Sequence, residues 1–390
     1  MKLTLLQVVA AMIALLAPTV FIRAQDAQFA TLTNPNSPAD PNSPVYSRQA
    51  RDQVYPSTFR GGNSSSDTDG SSDVALSACG SRPHFEVSAS LLYLQPGAGN
   101  LEYGTLVSPL PVPSPNWENE SISPKYTPAF NFGLSYFVPE SGNDIRSTWT
   151  HLDSTDSASF VGSPDQMAGP PYLIGPGANA YNIGNGSVHF GYDAVNLEAG
   201  HLWDTGGLFH VRVFGGVQYA SIAQDLTGTF SNNAGTETTS NTTYSRFFGA
   251  GPRLGVNSQF NYCRFQFLGE IAAAVLVGNQ QSHIDFSTTS TTPVPGLAYP
   301  NTQSFTSPNA TQVIPSIDCR LGASYTFPLN FKIEAGYQAV VYVNAVNTYS
   351  LTEVTTPPVA QSVGVFFATG QHLQSNFTAQ GPYLSASWAF

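Results

Sequence analysis

The chain has 390 residues, of which 41% are hydrophobic and only 10% charged, where an ordinary soluble domain carries roughly a quarter charged residues. Beyond the N-terminal region no window offers the roughly 18 uninterrupted apolar residues of a helical span, which excludes a helical membrane protein. Aromatic content of 12%, 34 Gly and a net charge of −11 suit strands with one face in lipid and one in water, and leave no basic surface for nucleic acid.

In chain order, Lys2 and the apolar run 3–21 ahead of Ala24 predict a secretory signal over 1–24. Residues 25–83 are rich in Asn, Pro, Ser, Asp and Gly. They hold too little apolar surface to offset the entropy of ordering them, so a disordered periplasmic tail is predicted. The Asp-rich stretch 67–73 lacks the spacing and closing Glu of a calcium loop. Cys79, Cys263 and Cys319 form an odd set that argues against a disulfide framework. No Cys/His spacing resembles a metal site, so neither metal nor cofactor is expected.

From His84 onward the pattern has period 2. Residues 84–95 alternate Phe85, Val87, Ala89, Leu91 and Tyr93; 128–138 give Phe130, Phe132, Leu134 and Tyr136; 143–152 give Ile145 and Trp149. The segment 187–201 opens on Val188, Phe190 and Tyr192 and shifts phase to Val195, Leu197 and Ala199, which predicts a bulge near Gly191. Residues 208–221, 244–260, 263–277, 313–327, 331–343 and 376–390 continue the series. Parity puts Cys263 with Phe265 and Phe267, and Cys319 with Ile317 and Leu321, on the lipid side. In the last strand Leu384, Ala386, Trp388 and Phe390 share one apolar face, and the final aromatic is expected to be the signal read by the barrel assembly machinery.

Connections alternate in length. Short ones fall at 139–142, 203–207, around Asn261 and at 328–330; long ones fall at 96–127, 153–186, 222–243, 279–310 and 349–375. This sorting predicts an all-β fold, an antiparallel transmembrane β-barrel of about 10 strands (10–12), with short periplasmic turns and long extracellular loops over 84–390.

Several segments then become familiar: FEVSASLLYL at 85–94, PKYTPAFNFGL at 124–134, DIR at 144–146 and TWTH at 148–151. FGGVQYA at 214–220, FGAGPRLG at 248–255 and EAGY at 334–337 complete the set. Together they make 84–390 resemble the Legionella-type major outer membrane protein family, with Asn196 standing where that family often has an acidic residue. The resemblance implies a pore and supplies no catalytic residues.

Parity directs Arg212, Arg253, Arg264, Glu270, Asp318, Arg320, Lys332 and Glu334 away from the apolar face, into the lumen, with Glu198 beside them. Such a wall is predicted to line a water-filled constriction with a transverse field; the competing reading is that these groups satisfy one another inside a sealed barrel. Strand acids and bases nearly cancel, and the acidic excess sits in the loops, as at Glu118, Glu120, Asp153, Asp156, Asp225 and Asp285. The expected function is therefore passive diffusion of small hydrophilic solutes or ions with a weak cation preference. His210 lies near Arg212, but no nucleophile elbow accompanies it, so no enzyme is expected. Outer-membrane lipid, solutes and a possible homo-oligomer are the partners. An adhesin acting through Ser/Thr/Asn-rich loops 231–243 and 286–312 is the alternative.

Overall fold

A computed structural model describes residues 84–108, 116–163, 166–170, 181–204, 208–290, 301–354 and 366–390. The expected signal, the tail with its Asp-rich stretch, Cys79 and most of the turn 203–207 lie outside the described residues. The strands are β1 (His84–Ala98), β2 (Glu102–Ser108), β3 (Asn116–Ser121), β4 (Thr127–Phe137), β5 (Asn143–Val161), β6 (Met167–Gly169) and β7 (Ile183–Asp204). They continue with β8 (Phe209–Ser231), β9 (Glu237–Tyr262), β10 (Phe265–Ser290), β11 (Asn301–Thr306), β12 (Ala310–Thr326), β13 (Phe331–Val354) and β14 (Phe366–Ala389).

Ten of these close into an antiparallel barrel in the order β1, β4, β5, β7, β8, β9, β10, β12, β13, β14. Closure is made by β14 against β1, in register from Glu86 opposite Ala389 to Ala98 opposite Phe377. Two backbone hydrogen bonds between Phe85 and Phe390, at 3.0 and 2.9 Å, finish the seam. Closure leaves the ten-stranded wall without an edge within the membrane, which is what a barrel in lipid requires. Strand β11 extends the outer part of β10, and β2, β3 and β6 form a separate three-stranded sheet.

The exterior is apolar where it meets lipid. Phe130, Trp149, Leu197, Val217, Leu254, Val275, Ile317, Leu384, Trp388 and Phe390 are all exposed there. On β8 the outward apolar positions run from Phe209 to Tyr219, close to the ~9–11 residues that a tilted strand needs to cross. Beyond Tyr219 the outward positions become Ser221, Ala223, Asp225, Thr227 and Thr229, yet the strand continues to Ser231. The barrel therefore projects past the membrane.

This corrects three expectations. Most of 222–243 and much of 153–186, 279–310 and 349–375 are strand rather than loop, because outside the bilayer both faces of a paired ladder meet tolerable surroundings and the backbone bonds persist. No bulge occurs at Gly191: β7 keeps one register against β5 and β8, with Val188, Phe190 and Tyr192 facing inward throughout. The apolar side changes there because the lumen becomes apolar as the exterior becomes polar. Third, Cys263 does not lie on a strand face; it occupies the tight turn between β9 and β10 at φ 56° and is exposed, whereas Cys319 sits on the outward side as expected.

Candidate functional site: the barrel lumen

The inner wall is layered. Nearest the short turns lies a charged lattice, and Arg212 on β8 is its best-enclosed member. Its Nε donates to Asp144 on β5 at 2.7 Å and its Nη2 to the same carboxylate at 2.6 Å; Nη1 reaches Glu198 on β7 at 3.4 Å. Gly200 allows this, since a Cβ there would overlap the guanidinium. Glu198 also accepts from Arg253 Nε on β9 at 2.9 Å, and Arg253 pairs with Asp318 on β12. Both guanidiniums stand over the Phe214 ring, at 4.7 and 5.8 Å.

A second limb of the lattice runs through Arg320, which donates to Glu334 at 2.6 Å and lies 4.1 Å over the Tyr383 ring. Tyr383 donates to the same carboxylate at 2.8 Å, and Lys332 stands 4.0 Å from it. Arg146 on β5 reaches Glu270 on the far wall at 4.0 Å. Five acids (Asp144, Glu198, Glu270, Asp318, Glu334) thus face five bases (Arg146, Arg212, Arg253, Arg320, Lys332). The lattice is neutral as a whole. Its two flanks differ in wetness: Arg212 and Arg253 keep 2% and 3% of their side-chain surface exposed, Asp318 and Arg320 23% and 27%.

Above the lattice a hydrogen-bonded bar crosses the lumen. Tyr192 on β7 meets Tyr342 on β13 hydroxyl to hydroxyl at 3.0 Å, joining opposite walls. Gln218 on β8 donates to Tyr342 at 3.3 Å and accepts from Ser316 on β12 at 2.9 Å.

The outer chamber is apolar and filled. Leu92, Leu94, Leu152, Val188, Phe190, Ile222 and Phe377 form a buried cluster on the inner wall, with the Phe190 and Phe377 rings 5.9 Å apart across it. From the described parts of the connection between β1 and β4, Leu101, Tyr103 and Ile122 enter this chamber and join the same cluster. Asn100 fastens the connection, accepting from Gln224 and from Ser375 at 3.3 Å each. From the other side, a bulge at Asn344 (φ 61°) turns the outer part of β13 across the mouth. Gln280 donates there to the Ala345 carbonyl at 3.2 Å, and Ser245 accepts from Asn347 N at 2.9 Å.

Of the residues singled out from sequence, Arg212, Arg253, Glu270, Asp318, Arg320, Lys332 and Glu334 meet in the lattice. Arg264 does not: it follows Cys263 in the exposed turn, because the strand ends before it. Asp144, Arg146 and Tyr383 complete the site and were missed, although the inward parity of all three was readable. Asp153, Asp225 and Asp285 are strand residues of β5, β8 and β10 rather than loop residues. They lie on the outer surface of the projecting barrel, paired with His189, Arg246 and His283.

No curated protein sequence matches the chain. Among solved structures, the outer membrane protease OmpT of Escherichia coli is 9% identical over 79% of this chain and 97% of that one, with a TM-score of 0.42. A Pseudomonas aeruginosa FadL homologue is 6% identical over 78% and 90% at 0.23, and the P. putida toluene transporter TodX 8% identical over 79% and 90% at 0.17. At such values nothing about activity follows from them. Residues 78–390 match the model of the family described as Legionella pneumophila major outer membrane protein precursor, and the chain belongs to that family of the outer membrane.

Proposed function

We propose that the chain is a pore-forming protein of the outer membrane for small hydrophilic solutes or ions, held closed in the conformation described. The observation that carries this reading is the origin of the closing material. The mouth is filled by the excursion between β1 and β4, which is no part of the ten-stranded ladder, and by the outer part of β13, whose strand pairing past Tyr342 is to β14 alone. Below them, the partly exposed charges of Asp318 and Arg320 face a lumen that admits water. The pathway thus requires three movements: withdrawal of the excursion, displacement of the outer part of β13 and parting of the Tyr192–Tyr342 bar. Export by the segment 1–24 and insertion through the assembly machinery belong to this reading; catalysis and a cofactor do not.

A weak cation preference in the open state would arise from outer acids such as Glu118 and Glu120, since the lattice itself cancels. A second reading is favoured by the burial of Arg212 and the tyrosine bar: a permanently sealed barrel acting through its exposed outer surface. Planar-bilayer recording separates them. Rare, brief steps from the wild type and longer ones from Tyr192→Ala/Tyr342→Ala support the closed pore. Silence from both leaves the sealed barrel.

A further inference from the structure

The Tyr103 ring occupies a slot that the wall creates by omitting side chains. Gly186 on β7 faces inward beneath the ring, and a Cβ there would overlap its Cγ and both Cδ atoms. Gly184 makes the same room for Phe160, and Gly228 on β8 leaves space for the Phe230 ring, 3.2 Å from where its Cβ would stand. Phe160 flanks Tyr103 at 5.9 Å between ring centroids, and Phe230 flanks Phe160 at 6.5 Å. Glycine weakens a strand interior, so three inward glycines on two neighbouring strands, each against a ring or its backbone, mark a place shaped for aromatic rings, with Gly186 under that of Tyr103. Tyr103 is 2% exposed and Phe230 is fully buried, so the slot is dry.

Its occupant belongs to the excursion, not to the wall. Besides Tyr103, its apolar neighbours Leu101 and Ile122, buried Leu106 and the short ladder of β2 to β6, the excursion is held by polar contacts that water can replace, as at Asn100 with Gln224 and Ser375. We propose that the slot is a displaceable binding site for one six-membered aromatic ring. Tyr103 is the resident occupant, and a small phenolic or monoaromatic compound competes for the same place. Loss of Tyr103 from the slot frees the excursion from the mouth. The gating consequence rests on the pore reading; the slot does not.

The probe is p-cresol, the tyrosine side chain as a free molecule, added to full-length protein in lipid nanodiscs. Tyr103→Ala is expected to unfold at a lower temperature than wild type, and p-cresol to raise its Tm while leaving the wild-type Tm unchanged or lower. Equal shifts in both proteins, or none in Tyr103→Ala, overturn the site. Should Tyr103→Ala fail to insert, Tyr103→Val decides the matter: it keeps an apolar side chain without a ring, and p-cresol is expected to raise its Tm and to shorten its conductance steps. In Tyr103→Val/Gly186→Ala, whose added Cβ stands where the ring would lie, p-cresol is expected to do neither. The same response in both variants overturns the proposal. If no variant ever conducts, the pore reading fails and the difference in Tm response alone tests the slot, with equal responses counting against it.

Discussion

Arg212 carries the argument at the scale of single residues. A guanidinium with 2% of its surface exposed is stable only while its partners neutralise it, and Asp144 supplies three of its four hydrogen bonds. Replacing Arg212 with Met leaves Asp144 and part of Glu198 buried without a counter-charge, a change that costs about 3–5 kcal/mol when one member of a buried pair is lost. Urea unfolding of the lipid-reconstituted barrel reads this directly, and a loss under about 1 kcal/mol would mean the lattice is wet and replaceable. Arg264→Ala, in the exposed turn, is expected to change stability by less than about 0.5 kcal/mol. Which charges face inward was legible because side chains alternate strictly along a strand. Which charges pair was not. Asp144 and Arg212 lie two strands apart, with β7 between them, and only the curvature of the closed wall brings them together.

At the scale of elements, β7 and β8 each carry two messages that exchange faces partway along the strand. Within the bilayer the outward side is apolar and the lumen polar; past Tyr219 on β8 the lumen is apolar and the outward side polar. A reader following the apolar side alone sees a phase slip at Gly191 and a loop after Ile222, and both are artefacts of that exchange. The membrane-embedded part is nonetheless firmly set, and it yields a facing test. Arg in place of outward Val275 is expected to cost ~2–4 kcal/mol near the midplane. Arg in place of Gln266, which faces the lumen among Gln259 and Asn261 at 2.9 Å each, is expected to cost less than half as much. Equal penalties would reverse the assignment of faces. The closing strand yields another. Trp388 donates to the Leu329 carbonyl at 3.1 Å, and Phe390 packs 6.2 Å from Phe85 across the seam. Changing both Trp388 and Phe390 to Ser is expected to reduce the heat-modifiable, membrane-embedded fraction several-fold, as judged by membrane fractionation and gel shift. A normal yield would remove these side chains from assembly.

For the whole molecule, the decisive property is the cancellation of charge inside a wall whose backbone ladder closes on itself. Ten strands give a lumen narrow enough for side chains to span, so Tyr192 and Tyr342 meet tip to tip, and a solute must displace protein rather than water. The closed barrel and its place in the outer membrane were legible from alternation, loop sorting and the matched segments. The stopper was not, because nothing in residues 99–126 distinguishes a loop that projects from one that folds inward until the glycine-floored wall is seen beside it. Neutrality has a consequence that can be measured in the longer openings expected of Tyr192→Ala/Tyr342→Ala. Asp318→Asn leaves the lattice with one excess positive charge on its wetter flank and is expected to move the reversal potential toward anions in dilute salt. Lys332→Gln leaves one excess negative charge and is expected to move it toward cations. Both shifts should fade in concentrated salt, where the screening length falls to about 3 Å. If neither substitution moves the reversal potential while Glu118→Gln/Glu120→Gln does, permeating ions bypass the lattice and selectivity belongs to the mouth alone.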